Sequence, residues 1–174
     1  PHISPASIEG GADRTLIVNG WSKSWAMTGM RVGFLTGPSA AMKAAMKSQA
    51  NSASHIPTFM MEAARVALSC DDAVDSFNEE YKKRREIMIQ GLSEIPGLRV
   101  GECEGAFYAY PNIAGLIGKK TLEGKTLNND TQIVEWLLET AEVAAVPGAA
   151  FGLEPFFRVS YATSLELLKD AMDR

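Results

Sequence analysis

The spacing of apolar positions changes several times along the chain. Thr15-Leu16-Ile17-Val18 and Val32-Gly33-Phe34-Leu35-Thr36 are short runs rich in β-branched and aromatic residues, as strands are. Between them lies a glycine-bearing segment that is expected to form a turn-rich excursion at the strand ends. Gly37-Pro38 stops the second run, and Ser39 is a candidate N-cap for a helix to about Gln49 with Ala41, Met42, Ala45 and Met46 on its apolar face. Residues 50–57 carry Ser, Asn, Ala and one Pro, as a loop or crossing segment would. A helix is expected over residues 58–69. After the capping pair Asp71-Asp72 a longer helix runs to about Leu92, with Val74, Phe77, Tyr81, Met88 and Leu92 on one side. Its acidic start and basic second half suit the helix dipole.

Beyond Pro96-Gly97 the texture shortens. Residues 98–100 and 106–110 read as strands, residues 115–130 as a polar stretch, and residues 131–142 as a helix. A strand at 143–146, a Pro147-Gly148 turn, a strand at 156–161 and a last helix capped by Thr163, with Glu166 three residues on, complete the chain. This alternation predicts an α/β fold. A boundary near residues 70–75 divides it into a first part, 1–72, and a second, 73–174.

Composition narrows the function classes. With 46% hydrophobic and 22% charged residues, 174 residues can bury a core. A net charge of −4 argues against a nucleic-acid partner, since phosphate backbones need a basic surface. The one dense basic run, Lys82-Lys83-Arg84-Arg85, follows Glu79-Glu80 and reads as a solvated helix face. No apolar stretch approaches the roughly 20 residues of a membrane span, so a soluble protein is expected. Cys70 and Cys103 lack the spacing of a metal or redox motif and read as reduced thiols of a cytoplasmic protein. His2 and His55 are too few and too far apart for a metal site or a Ser-His-Asp system. The opening Pro1-His2-Ile3-Ser4-Pro5 has no initiator Met and reads as mid-loop, as in a piece of a longer protein.

The chemistry concentrates in the window from Gly20 to Gly33. Lys23 is flanked by Ser22, Trp25, Ala26, Met27 and Gly29, small and apolar neighbours expected to desolvate the ammonium and favour the free amine that attacks an aldehyde. Arg31, eight residues on, leaves a tight backbone between Gly29 and Val32-Gly33, where a fixed fork of donors suits a phosphate. Two superficially similar motifs fail. Gly20-Trp21-Ser22-Lys23-Ser24 lacks the final glycine of a nucleophile elbow, and Gly118-Lys119-Lys120-Thr121 has Ile113 where a phosphate-binding loop needs its earlier glycine.

The window resembles the cofactor-attachment signature of class I and II aminotransferases of the aspartate aminotransferase fold. Gly20, Ser22, Lys23, Ala26, Met27, Gly29, Arg31, Val32 and Gly33 carry the likeness. Trp21 departs from the smaller apolar residue usual there, and Gly20 stands where many relatives have a phosphate-binding serine. Three further motifs follow in the family's order: Gly105-Ala106-Phe107-Tyr108, then Val146-Pro147-Gly148 with Phe151-Gly152, then Phe157-Arg158-Val159-Ser160-Tyr161-Ala162.

The resemblance implies the end of the large cofactor-binding domain, the small C-terminal domain, and pyridoxal 5'-phosphate as cofactor. Lys23 would anchor it and then act as base, Arg31 would hold its phosphate, and Arg158 would bind the substrate's α-carboxylate. It implies amino acid and 2-oxo acid substrates, aspartate favoured, and a homodimeric parent, with no metal, nucleic acid or membrane. The Asp, Tyr and Asn that the family sets around the cofactor ring, and its glycine-rich phosphate loop, have no match in this chain, so the piece alone is expected to be inactive. An aminocyclopropane-carboxylate synthase or a carbon–sulfur lyase would share Lys23, Arg31 and Arg158 but eliminate rather than transaminate, and a transcription regulator with an aminotransferase-like sensor domain is a further alternative.

Overall fold

A computed structural model describes residues 2–174 and divides the chain into two compact units, the first ending at Phe77 and the second running from Asn78 to Arg174. The division falls inside a continuous helix rather than at the sequence-derived boundary of 72/73.

In the first unit, strands β1 (Ile17–Gly20) and β2 (Gly33–Thr36) pair antiparallel, Ile17 opposite Thr36 and Gly20 opposite Gly33. They are followed by helix α1 (Ser39–Ser52), helix α2 (Thr58–Ala67) and the start of helix α3 (Asp71–Glu94). Ser39 is not the cap of α1. It is already helical, and Pro38, in an extended conformation with φ −56° and ψ 138°, ends the approach without a side-chain bond. No residue of α1 is buried; Ala41, Met42 and Ala45 are half-buried and Met46 is exposed. The small core of this unit is Trp21, Val32, Ala64 and Ala67, with Trp25, Met27, Ile56 and Met60 packed on it.

The second unit carries a three-stranded antiparallel sheet with β5 (Phe157–Ser160) central, flanked by β3 (Tyr108–Ala109) and β4 (Val146–Pro147). Tyr108 lies opposite Ser160 and Val146 opposite Arg158. The strands are shorter than their apolar runs: residues 143–145 and 106–107 stay outside the ladder. Helix α4 (Asp130–Trp136) passes directly into a π-type turn at Leu137–Ala141, so residues 131–142 are helical but not uniformly α. The final helix α5 (Leu165–Asp173) is capped by Ser164, whose hydroxyl accepts from the Leu167 N–H at 3.2 Å, not by Thr163. The polar stretch folds back on itself, Gly118 N–H donating to the Leu127 carbonyl at 2.7 Å.

Apolar positions of α3, β3, α4, β5 and α5 meet in one core: Met88, Leu92, Ala109, Ile133, Phe157, Val159 and Leu168 are all buried, as are Ile113 and Tyr161 beside them. The basic run on α3 is solvated and locally paired, Lys82 with Glu79, Lys83 and Arg84 with Glu80. Such exposed pairs contribute little to stability.

Candidate functional site

Lys23 and Arg31 belong to one excursion, residues 21–32, closed at its neck by the β1–β2 pair. The last bond of the neck runs from the Trp21 N–H to the Val32 carbonyl at 3.2 Å. Arg31 is therefore the first residue outside the neck on one side, and Lys23 the second on the other. The neck is sterically tight: a Cβ on Gly20 would lie 2.9 Å from the Val32 carbonyl oxygen. A side chain at this position would require the facing backbone at Val32 to shift.

Trp21, the other departure, is the anchor of the excursion. It is 8% exposed, its indole N–H donates to the Ala64 carbonyl of α2 at 3.0 Å, and its ring packs on Trp25 and edge-on to Phe34 at centroid distances of 5.8 and 5.6 Å. Burying an indole with its N–H satisfied combines a large apolar area with a specific bond. The excursion itself is strained. Ala26 and Arg31 both have φ of +52°, a left-handed conformation that costs a residue with a Cβ free energy. At Arg31 it ends a 3₁₀ turn, Thr28–Met30, and the guanidinium folds back to donate from Nη1 to the Thr28 carbonyl at 2.9 Å.

One expectation is overturned here. Lys23 is exposed, because Trp25 and Met27 turn onto the Trp21 core instead of covering the lysine. The desolvating wall read into its neighbours is not supplied by them.

Arg158 sits in the second unit, on the central strand, half-buried. Its guanidinium carbon lies 4.4 Å from the centroid of the Tyr108 ring and 4.6 Å from that of Phe151. Among the described residues no carboxylate lies within ion-pair distance of it. Aromatic faces attract the cation without consuming its in-plane N–H donors, so the fork stays directed for an external acceptor. Tyr108 reaches it through the β3–β5 register. Phe151 ends the 3₁₀ turn Gly148–Phe151, and its ring also meets Tyr110 edge-on at 6.2 Å, while Tyr110 stacks on Phe156 at 5.3 Å. Gly148 is obligatory in that turn, since a Cβ would fall 2.0 Å from the Leu153 carbonyl oxygen.

Two residues have roles that the sequence reading did not assign. Tyr161, 1% exposed, donates its hydroxyl to the Ala106 carbonyl at 3.0 Å while its N–H bonds the Phe107 carbonyl at 2.9 Å, fixing the strand that carries Tyr108. Burial, reinforced by the nearby Cys103 thiol, raises the Tyr161 hydroxyl above its ordinary pKa. Asp130 is buried and accepts the Ala149 N–H at 2.9 Å. An aspartate at a helix start reads as an exposed dipole partner, and no local signal marks it as interior. Among the described residues no group of three or more His, Cys, Asp or Glu is placed to hold a metal ion, and no helix is long and apolar enough to cross a membrane.

Comparison with known proteins gives this geometry a family. The model of "Aminotransferase class I and II" matches residues 3–174. An aspartate aminotransferase of Rhizobium meliloti (strain 1021) is 45% identical over 177 residues, covering 99% of this chain and 42% of that protein. An aspartate/prephenate aminotransferase of Cereibacter sphaeroides is 42% identical, covering 98% of this chain and 43% of its own length. The crystal structure of the Rhizobium meliloti aspartate aminotransferase matches with a TM-score of 0.92 at 43% identity, over 99% of this chain and 44% of that one. That of the Thermus thermophilus aspartate aminotransferase with maleate matches with a TM-score of 0.84 at 33% identity, over 99% and 42%. The chain thus spans less than half the length of these relatives. It has the aspartate aminotransferase fold and belongs to the class I and II aminotransferases, a family of pyridoxal-phosphate enzymes.

Proposed function

We propose that this chain is the C-terminal part of a pyridoxal 5'-phosphate-dependent aminotransferase that moves an amino group between an L-amino acid, aspartate before others, and a 2-oxo acid. The observation that carries the reading is the closed neck of residues 21–32, which sets an amine and a guanidinium just outside the same strand pair.

The donor set fits the cofactor. Lys23 is an exposed primary amine able to reach an aldehyde, and Arg31 spends one guanidinium N–H on Thr28, leaving others for a phosphate. When bound, pyridoxal phosphate supplies the aldehyde and a ring that accepts the electron pair left by a departing α-proton. Lys23 would hold the cofactor through its Nζ, and the same amine, once freed, would serve as the base that takes the proton from the substrate Cα. Arg31 neutralises the phosphate. Arg158 pairs its two outer nitrogens with the substrate α-carboxylate, and the Tyr108 and Phe151 rings keep water off its faces, which strengthens the pair.

The ring-binding Asp, Tyr and Asn and the glycine-rich loop that the resemblance requires are not in this chain. Alone it is therefore inactive, and the working enzyme is a homodimer of the longer protein. The preference for aspartate draws support from Ser160-Tyr161-Ala162-Thr163-Ser164 and from the relatives named above.

In the full-length protein, amino transfer from L-aspartate to 2-oxoglutarate tests the proposal. Lys23→Ala is expected to lower turnover by at least about 10³-fold, the loss of anchor and base together. Turnover within tenfold of wild type in that variant would remove Lys23 from the chemistry.

A further inference from the structure

Asp130 is the one charged side chain buried among the described residues, at 1% exposure. It has no cationic partner: its Oδ1 accepts the Thr131 hydroxyl at 3.4 Å and its Oδ2 accepts the Ala149 N–H at 2.9 Å. Burying a carboxylate without a counter-charge is costly, so a shorter polar residue would be the cheaper occupant if only a helix start were at stake. The helix start is already served, because Asn129 caps α4 by accepting the Gln132 N–H at 2.9 Å. The carboxylate's strong bond goes elsewhere, to the second residue of the Gly148–Phe151 turn.

That turn ends at Phe151, whose ring lies over the Arg158 guanidinium. Its backbone is otherwise held at Gly148, by Gly148 N–H to the Phe156 carbonyl at 2.8 Å and Leu153 N–H to the Gly148 carbonyl at 3.1 Å, and within the turn by Gly152 N–H to the Ala149 carbonyl at 3.1 Å; Asp130 ties it to α4 through the Ala149 N–H. Phe151 is 51% exposed, so packing alone does not fix its ring. A charge-assisted bond at Ala149 restrains the turn from the side facing α4.

We propose that Asp130 is a positioning residue for carboxylate recognition: by gripping Ala149 it sets Phe151 against Arg158 and so fixes the fork that receives the substrate's carboxylate. This rests on the reading of Arg158 as the carboxylate site. It adds a specificity-supporting residue about which the attachment window and the strand motifs say nothing.

The test uses the full-length protein with pyridoxal phosphate and maleate, a dicarboxylate with no amine to transfer, its affinity read from the cofactor's absorbance. Asp130→Ala is expected to weaken maleate binding about tenfold and raise the KM for aspartate in step, with kcat within about threefold, as loss of a charge-assisted bond acting on binding predicts. Asp130→Asn, whose amide oxygen can accept the same N–H, is expected to stay within about threefold of wild type. Phe151→Ala, on an exposed side chain that does not threaten folding, should reproduce the Asp130→Ala loss, and the two together should be no worse than either.

Arg158→Ala separates this inference from its premise. If Arg158→Ala weakens maleate binding and Asp130→Ala weakens it no further in that background, the coupling stands. Equal losses from Asp130→Ala with and without Arg158, or unchanged maleate affinity in both Asp130→Ala and Phe151→Ala, overturn the positioning role. Unchanged affinity in Arg158→Ala itself overturns the carboxylate reading.

Discussion

The excursion that carries Lys23 and the strand that carries Arg158 are built in opposite ways. Arg158 lies on the middle strand of a sheet whose neighbours on both sides are paired, over a core in which Ile113, Ile133 and Tyr161 are each at most 1% exposed. Lys23 lies at the open end of two strands whose apolar residues remain accessible: Val18 is 81% exposed, Phe34 43% and Leu35 39%. An open groove of about 670 Å³ runs beside them, lined by Val18, Phe34, Leu35, Met42, Met46 and Ile56. Four buried residues hold that region together, and only one of them, Trp21, is large. The strand that carries Arg158 is thus held on both edges and from beneath by its own unit. The lysine excursion hangs on one indole and stores left-handed strain at Ala26 and Arg31. Strain of this kind persists only where surrounding contacts over-determine it, so further packing is expected around this face in the longer protein.

The largest effect should come from removing the single anchor. Trp21→Ala is expected to cost about 3–5 kcal/mol, the range for a buried tryptophan, and to act on the first unit. Urea unfolding of the 174-residue chain followed by amide exchange would locate the loss. A cost no larger than that of a single hydrogen bond in the second unit would break the comparison.

Next in size, Arg158→Ala in the full-length enzyme should raise the KM for the amino acid by about 10²-fold, as loss of a partly desolvated charge pair predicts. Arg158→Lys should restore only part of it, because an ammonium cannot offer two parallel donors. Steady-state kinetics on the two variants would check both.

Tyr161→Phe should cost about 1 kcal/mol, since it leaves the Ala106 carbonyl without its buried donor. The same hydroxyl predicts a pH dependence. Its folded pKa is raised by burial, so the folded state holds that proton longer than the unfolded chain. Its contribution to stability is complete below the ordinary tyrosine value and is lost as pH rises from there through the folded value. Denaturant midpoints measured from pH 8 upward should fall in wild type over that alkaline range and fall less in Tyr161→Phe.

The smallest effect has the opposite sign. Ala26→Gly relieves a φ of +52° and is expected to stabilise the first unit by about 0.5–1 kcal/mol, after allowance for the greater freedom of glycine in the unfolded chain. A destabilisation in thermal melts would show that the excursion is not strained at that residue.

These contrasts also mark how far a sequence can be read. The turn-rich excursion between two strands was legible, because β-branched runs bounded by glycines have a local cause. So were α2 and α3, through their apolar period and the acidic start at Asp71-Asp72. The exposure of Lys23 was not, because Trp25 and Met27 are apolar neighbours in sequence whose direction is decided by the Trp21 core. Ser39 and Thr163 look like caps by residue type, yet Pro38 and Ser164 hold those positions, since backbone geometry selects among adjacent candidates. The aromatic setting of Arg158 was hidden for a different reason. Tyr108 reaches it only through the β3–β5 register and Phe151 only through a turn pinned by Asp130, both long-range facts.

The central claim is that the Lys23 amine is the covalent seat of the cofactor. The most direct test incubates the full-length protein with pyridoxal phosphate, reduces it with borohydride, digests it, and finds the labelled peptide by mass spectrometry. The account predicts one label, on the peptide containing Lys23, absent from Lys23→Ala and reduced in occupancy by Arg31→Ala at limiting cofactor. A label on a different lysine, or none at saturating cofactor in a folded protein, would contradict it.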